Sequence, residues 1–205
     1  MKQKEFIQKN RLEAFSDGVF AIIITLLVLE IKVPHIEQHN STEALLTALQ
    51  SLLPKFLSWV ISFLVIAVIW VNHHRILELV EKVDHSFFWF NANLLLWTSF
   101  IPFPTALMGD YAHNPLAVSF FGIVLSLTAM AFTLMRRYLA NHGDILKREI
   151  EQQTLKSTAL KSFLMGPLVY WIGAGLAWIH PAISWTIYLI IPVYFIFPSI
   201  KQKTS

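Results

Sequence analysis

The run Val19–Leu29 (VFAIIITLLVL) holds no charged residue, and on a helix it is apolar on every side apart from Thr25. A helix of a water-soluble domain keeps a polar face. One that is apolar all round belongs in a protein interior or in hydrocarbon, and runs of this kind recur along the whole chain. Apolar residues make up 55% of the sequence and charged residues 14%, against roughly 25% charged in an ordinary soluble domain. Too little polar surface exists to face water, so the chain reads as an all-α membrane protein. Helices are the spanning form that satisfies each backbone polar group within its own segment.

Six spans are expected, at about 12–33, 53–71, 87–108, 116–135, 162–179 and 182–198. Asn40 and Glu43 have capping-box spacing, which predicts a helix starting at Asn40 ahead of the second span. Asn72-His73-His74-Arg75 closes that span, and a charged loop follows through Asp84. Pro102 and Pro104 should bend or break the third span. The polar stretch from Arg136 to about Lys161 is long enough for a helical extension of the fourth or fifth span. No linker or repeat divides the chain, so residues 1–205 read as one six-helix unit.

Of the 16 Lys and Arg residues, all except Lys32 and Lys55 fall on one side if the chain crosses six times. That bias predicts a multi-pass protein of the cell membrane with both termini cytoplasmic. The formal charge of +3 is scattered between apolar segments and forms no basic face, so nucleic acid is not an expected partner. The N-terminus lacks the pattern of a cleaved signal. Cysteine is absent, which excludes disulfides and thiolate metal sites. No HExxH, GxSxG or Walker-type glycine loop is present, and no enzyme activity or metal site is expected.

The first span carries the most information. Arg11, Phe15, Gly18, Ile22, Thr25, Leu26 and Leu29 recur at steps of three and four, which aligns them in one stripe. Such a stripe is either a packing seam against a neighbouring helix or a face turned to the central axis of an oligomer. Asp17 lies near the start of the same span, and a carboxylate there needs a partner. Asn72, His73 and Arg11 are the candidates, with a plain interfacial polar patch as the alternative. His73 and His74 are adjacent and diverge by about 100° on a helix, poor geometry for holding one metal together.

Arg11-Leu12-Glu13-Ala14-Phe15-Ser16-Asp17-Gly18 resembles the RxxxFSD signature that opens the first helix of the transmembrane protein 175 family of lysosomal and prokaryotic potassium channels. The following AIIITLLVLEIKVP, the segment Trp70-Val71-Asn72-His73-His74 and the segment WTSFIPFPT at Trp97–Thr105 are similar to the prokaryotic branch. The resemblance implies a potassium-permeable channel, a homotetramer of six-span subunits whose pore is lined by the first helix of each. It carries a hydrophobic constriction onto Ile22, further narrow points onto Leu26 and Leu29, and ion preference onto Thr25 together with Ile22. Arg11, Phe15, Ser16 and Asp17, with Asn72 and His73, are implied to form a network that pins the inner helix ends. Potassium is then the permeant ion, the lipid bilayer the surroundings, and no cofactor is required. The chain has no TVGYG-like segment, so a conventional carbonyl-lined filter is not expected. Two other classes fit an apolar multi-pass chain. A secondary transporter is suggested by the Pro-interrupted third span and by Asp17, and a non-conducting membrane scaffold by the interfacial position of most polar groups.

Overall fold

The helix starts at Thr42, His85 and Pro115 fall where a side chain supplies an acceptor for the first free N–H groups. The Asp84 carboxylate accepts from Phe87 N at 2.7 Å, Ser41 from Ala44 N at 3.2 Å, and the Asn114 side chain from Leu116 N at 2.9 Å, just ahead of Pro115. The computed structural model describes residues 7–37, 41–147 and 164–196. Its helices are α1 (Lys9–Leu26), continued by a 3-10 turn at Leu27–Glu30, α2 (Thr42–Ser51), α3 (Leu53–Leu79), α4 (His85–Phe100), α5 (Pro102–Asp110) and α6 (Pro115–Asn141). A π-type turn at Leu164–Leu168 leads into α7 (Val169–Leu176), and α8 (Pro181–Ile196) follows.

The fold is all-α and membrane-spanning. Among the described residues three helical segments, Lys9–Glu30, Leu53–Leu79 and Pro115–Asn141, are long and apolar enough to cross a membrane unaided. Segments Leu164–Leu176 and Pro181–Ile196 are apolar but shorter. The expected third span is divided at Ile101 into pieces of 16 and 9 residues, neither of which spans alone. Pro102 and Pro104 have no N–H to give to the carbonyls one turn back, and the turn tightens there. Ile101 N donates to the Thr98 carbonyl at 3.1 Å, and the Thr105 hydroxyl donates to the Ile101 carbonyl at 2.7 Å. Ile101 itself keeps helical dihedrals, so α4 runs directly into α5.

Several expected boundaries move. The first helix starts at Lys9 and stops by Glu30, short of Val33. Ser41 caps α2, while Asn40 lies outside the described residues. The motif Asn72–Arg75 does not end α3, which continues to Leu79 because Ile76 and Leu77 are themselves buried. Likewise α6 runs past residue 135 to Asn141, with Leu139 and Ala140 buried, so the start of the polar stretch extends the fourth expected span, while its part at 148–161 lies outside the described residues.

Helix α6 packs against α4, α5, α7 and α8, and is the most enclosed of the long helices; α1 lies against α3 and α4. One core cluster, including Phe20, Ile61, Phe121 and Tyr188, fills the middle of the bundle. A second, including Leu12, Val80, Val83, Phe87 and Leu146, fills the end that carries Arg75, Lys82, Arg136 and Arg137, called here the basic end. At the opposite end Lys55 on α3 pairs with Asp110 on α5. Hydroxyls join the later helices: Ser119 donates to the Ala174 carbonyl, Ser126 to Pro167 at 2.8 Å and Ser184 to Gly173 at 2.6 Å. In hydrocarbon, small residues and such bonds take over the role that water exclusion plays in soluble bundles.

Tyr188 shows how closely α6, α7 and α8 meet. A Cβ at Gly122 would stand 2.0 Å from its hydroxyl, and one at Gly173 would stand 2.7 Å from its ring, whereas a Cβ at Gly175 meets nothing within 4 Å. Gly122→Ala is expected to lower stability by about 1–3 kcal/mol through overpacking. Gly175→Ala should leave it unchanged or raise it by up to about 1 kcal/mol, since a helical glycine is itself unfavourable. Thermal unfolding of the two purified variants in detergent separates these outcomes; equal melting temperatures would contradict the packing described.

Candidate functional site

The two faces of α1 have different surroundings. Leu12, Ser16, Phe20, Ile23 and Leu27 are buried against the subunit. Every residue of the stripe, Arg11, Phe15, Gly18, Ile22, Thr25, Leu26 and Leu29, is exposed. The adjacent isoleucines show the contrast: Ile22 is 58% exposed and Ile23 3%. A packing seam within the subunit is therefore not what the stripe forms. From Leu27 the helix tightens to 3-10 form, in which residues three apart eclipse one another, so Leu26 and Leu29 fall nearly in line on the same free face.

Thr25 is the polar member of the apolar stretch of the stripe. Its hydroxyl lies 2.9 Å from the Ile22 carbonyl and 3.1 Å from that of Ala21. The hydroxyl proton is thus taken up by the helix's own backbone. The oxygen lone pairs are left pointing away from it, able to accept from water or to face a cation.

The buried face of α1 is fixed in register by a polar bridge. Asn91 of α4 donates through its side-chain amide to the Ser16 hydroxyl at 3.0 Å, and its carbonyl oxygen lies 2.6 Å from His73 Nε2. With Asn91 in this orientation His73 Nε2 is the donor. The three side chains, each on a different helix, are fully or almost fully buried. Phe20 packs on the His73 ring at a centroid distance of 5.3 Å. His73 Nδ1 is buried with no hydrogen-bond partner.

Asp17 turns the other way. Its carboxylate accepts from the Trp70 indole N–H at 2.9 Å. Trp70 in turn stacks on His74, which lies 3.5 Å from Glu78, so residues 70, 74 and 78 continue one face of α3. Asn72 takes no part in either set, its amide donating to the Val68 carbonyl of its own helix. Arg11 and Phe15 are exposed. His73 is buried and His74 exposed, as their divergence on a helix requires, and no group of three or more metal-binding side chains occurs among the described residues.

Ser16 and His73 are joined through Asn91, which is not among the residues singled out in the sequence. Asn91 did carry a signal: an amide within the apolar run of the third span is costly unless bonded. Nothing in the pattern ranks it above Asn93 two positions on. Trp70 reads as an ordinary interfacial tryptophan, and its bond to Asp17 depends on how α1 and α3 cross.

Removing the amide bridge should be felt more than removing an amide bonded within one helix. Asn91→Leu strands a buried hydroxyl and a buried ring N–H and is expected to cost about 1–3 kcal/mol. Asn72→Leu should cost less than about 1 kcal/mol. Melting temperatures of the two variants check the ordering, and an equal or reversed shift would count against the bridge.

A family model described as the endosomal/lysosomal potassium channel TMEM175 matches residues 11–102, which include the whole of α1 from Arg11 onward together with α3 and α4. The chain is 39% identical over 193 residues to a potassium channel of Chamaesiphon minutus, covering 92% of this chain and 93% of that one. It is 36% identical over 201 residues to a potassium channel of a Chryseobacterium species, covering 96% and 97%. The crystal structure of a lysosomal potassium-selective channel TMEM175 homolog from Chamaesiphon minutus superposes with a TM-score of 0.80 at 38% identity, over 92% of this chain and 96% of that one. The chain therefore belongs to the TMEM175 potassium-channel family.

Proposed function

We propose that this protein is a potassium-permeable cation channel whose subunits assemble, as a tetramer, around the free face of α1. The observation that carries this reading is the exposed stripe Phe15, Gly18, Ile22, Thr25, Leu26 and Leu29, which no helix among the described residues covers. Similarity to proteins described as potassium channels supports the choice of ion. In this assembly the chain crosses the membrane six times, with α4 and α5 together forming one crossing. Their combined run of about 39 Å, at about 1.5 Å per residue, exceeds a hydrocarbon core of about 30 Å. The basic end faces the cytoplasm, in keeping with the Lys and Arg bias.

In the proposed pore Ile22 forms the principal constriction and Leu26 and Leu29 the next ones outward. A narrow apolar neck sheds water and blocks ions, so conduction requires α1 to move outward and let the neck hydrate. Ile22 thus acts as a gate that also filters by size. Thr25, one turn on, offers a ring of hydroxyl oxygens whose protons are held by the backbone, which favours a cation over an anion. Weak hydroxyl ligation without carbonyl cages implies modest preference for potassium over sodium. Ser16, through Asn91 and His73, and Asp17, through Trp70, hold the inner end of α1 against α3 and α4.

The test is electrical. Purified protein in a bilayer with a tenfold potassium gradient should give unitary currents that reverse on the potassium side, short of the limit of about 59 mV for a perfectly selective monovalent pathway. Saturable flux without unitary events would favour a transporter. Ile22→Asn should increase conductance several-fold and weaken discrimination against sodium, while leaving the unfolding free energy of the subunit within about 0.5 kcal/mol of the parent because Ile22 is not part of the subunit core. Currents and ion preference unchanged by this substitution would remove Ile22 from the gate.

A further inference from the structure

At the end of the bundle opposite the basic one, α2 differs from every longer helix in having no buried residue. At about 100° per residue its side chains sort into three sectors. Ala44 and Ala48, continued by Leu52, form a half-buried line on the side where α2 packs against α3. Glu43, Thr47, Gln50 and Ser51 occupy a second sector and are exposed. Leu45, Leu46 and Leu49 fill the third and are exposed as well. A ridge of three leucines is costly to leave in water.

The position of the helix decides what meets that ridge. Leu52, which joins α2 to α3, keeps helical dihedrals, and Phe56 N donates to its carbonyl at 3.0 Å. The ridge thus runs on into Leu53, Phe56 and Leu57, exposed apolar residues in the first turns of the membrane-spanning α3. Lys55 pairs with Asp110 at this level. Tyr111 and Trp178 lie exposed in the turns that follow α5 and α7, and the bond from the Trp185 indole to the Ala112 carbonyl, 3.1 Å, brings those two turns to the same end. Charged groups and amphipathic rings gather where hydrocarbon gives way to headgroups. Helix contacts within a membrane are built on small and hydroxyl-bearing residues. In α2 the alanines are turned toward α3 and the leucines are not, which favours lipid over a second protein helix as their cover.

We propose that α2 is an interfacial helix: Leu45, Leu46 and Leu49 seat in the headgroup–acyl boundary of a phospholipid bilayer, and Glu43, Thr47 and Gln50 face the water beyond it. The helix thereby anchors the start of α3 at that depth, whether or not the protein conducts.

The chain contains no cysteine, so a single substitution carries a spin label at one place. Leu46→Cys, Leu49→Cys, Thr47→Cys and Gln50→Cys are made in the full chain, labelled, and reconstituted in vesicles of phosphatidylcholine and phosphatidylglycerol. All four side chains are exposed in the subunit, so the variants should fold as the parent does. Power saturation reports how often each label meets oxygen, which dissolves among acyl chains, and a nickel chelate, which stays in water. The oxygen-to-nickel ratio should be about threefold higher or more at positions 46 and 49 than at 47 and 50. An equal ratio at all four positions would put the helix in water and overturn the proposal. Labels at 46 and 49 that neither reagent reaches would overturn it too, and dipolar broadening between them would then identify a second copy of this chain as the cover.

Discussion

One helix has to meet two surroundings, and the rest of the structure follows from how α1 divides them. Apolar contact alone would not hold it in place, because a leucine face slides and rotates against another leucine face, or against lipid, at little cost. The Ser16–Asn91–His73 bridge supplies what is missing. A buried polar bond in an apolar bundle cannot shift by one residue without stranding its groups, so it sets both the height and the rotation of α1. With Ser16 turned inward, Leu12, Phe20, Ile23 and Leu27 follow it into the core, and Ile22, Thr25 and Leu26 are left outside.

The remaining helices support that arrangement. Helix α6 forms the post against which α4, α5, α7 and α8 pack. Its serine hydroxyls and the glycine contacts around Tyr188 make this part of the bundle close-fitting. Helices α1 and α3 stand at the edge of this body with much of their length unburied. A free apolar surface has no driving force toward its neighbours when the surroundings are lipid, so the feature that distinguishes α1 is the combination of small Gly18 and polar Thr25 on the same free face.

Much of this was legible in the sequence. The stripe was readable because steps of three and four define a helix face whatever lies beside it, and the break at Pro102 because a missing donor acts locally. The C-terminal ends of α3 and α6 lie several residues beyond the expected ones for a common reason. Hydropathy reports where lipid ends, whereas Ile76, Leu77 and Leu139 are covered by protein beyond that level. The pairing of Asp17 with Trp70 joins residues 53 positions apart and depends on a helix crossing that no local pattern encodes. The bridge between Val80 and Leu146 was hidden for the same reason, since Val80 lies in a charged loop and Leu146 in a polar stretch.

What turns this geometry into a channel is the proposal that the free face of α1 meets its own copies around a shared axis. A density map of the purified protein in a lipid disc, resolved to side chains, tests that most directly. Four subunits with Ile22, Thr25 and Leu29 of each turned toward one continuous central passage are the expected result; the same residues lying against lipid, or against a different helix of a neighbouring subunit with no passage between them, would contradict it.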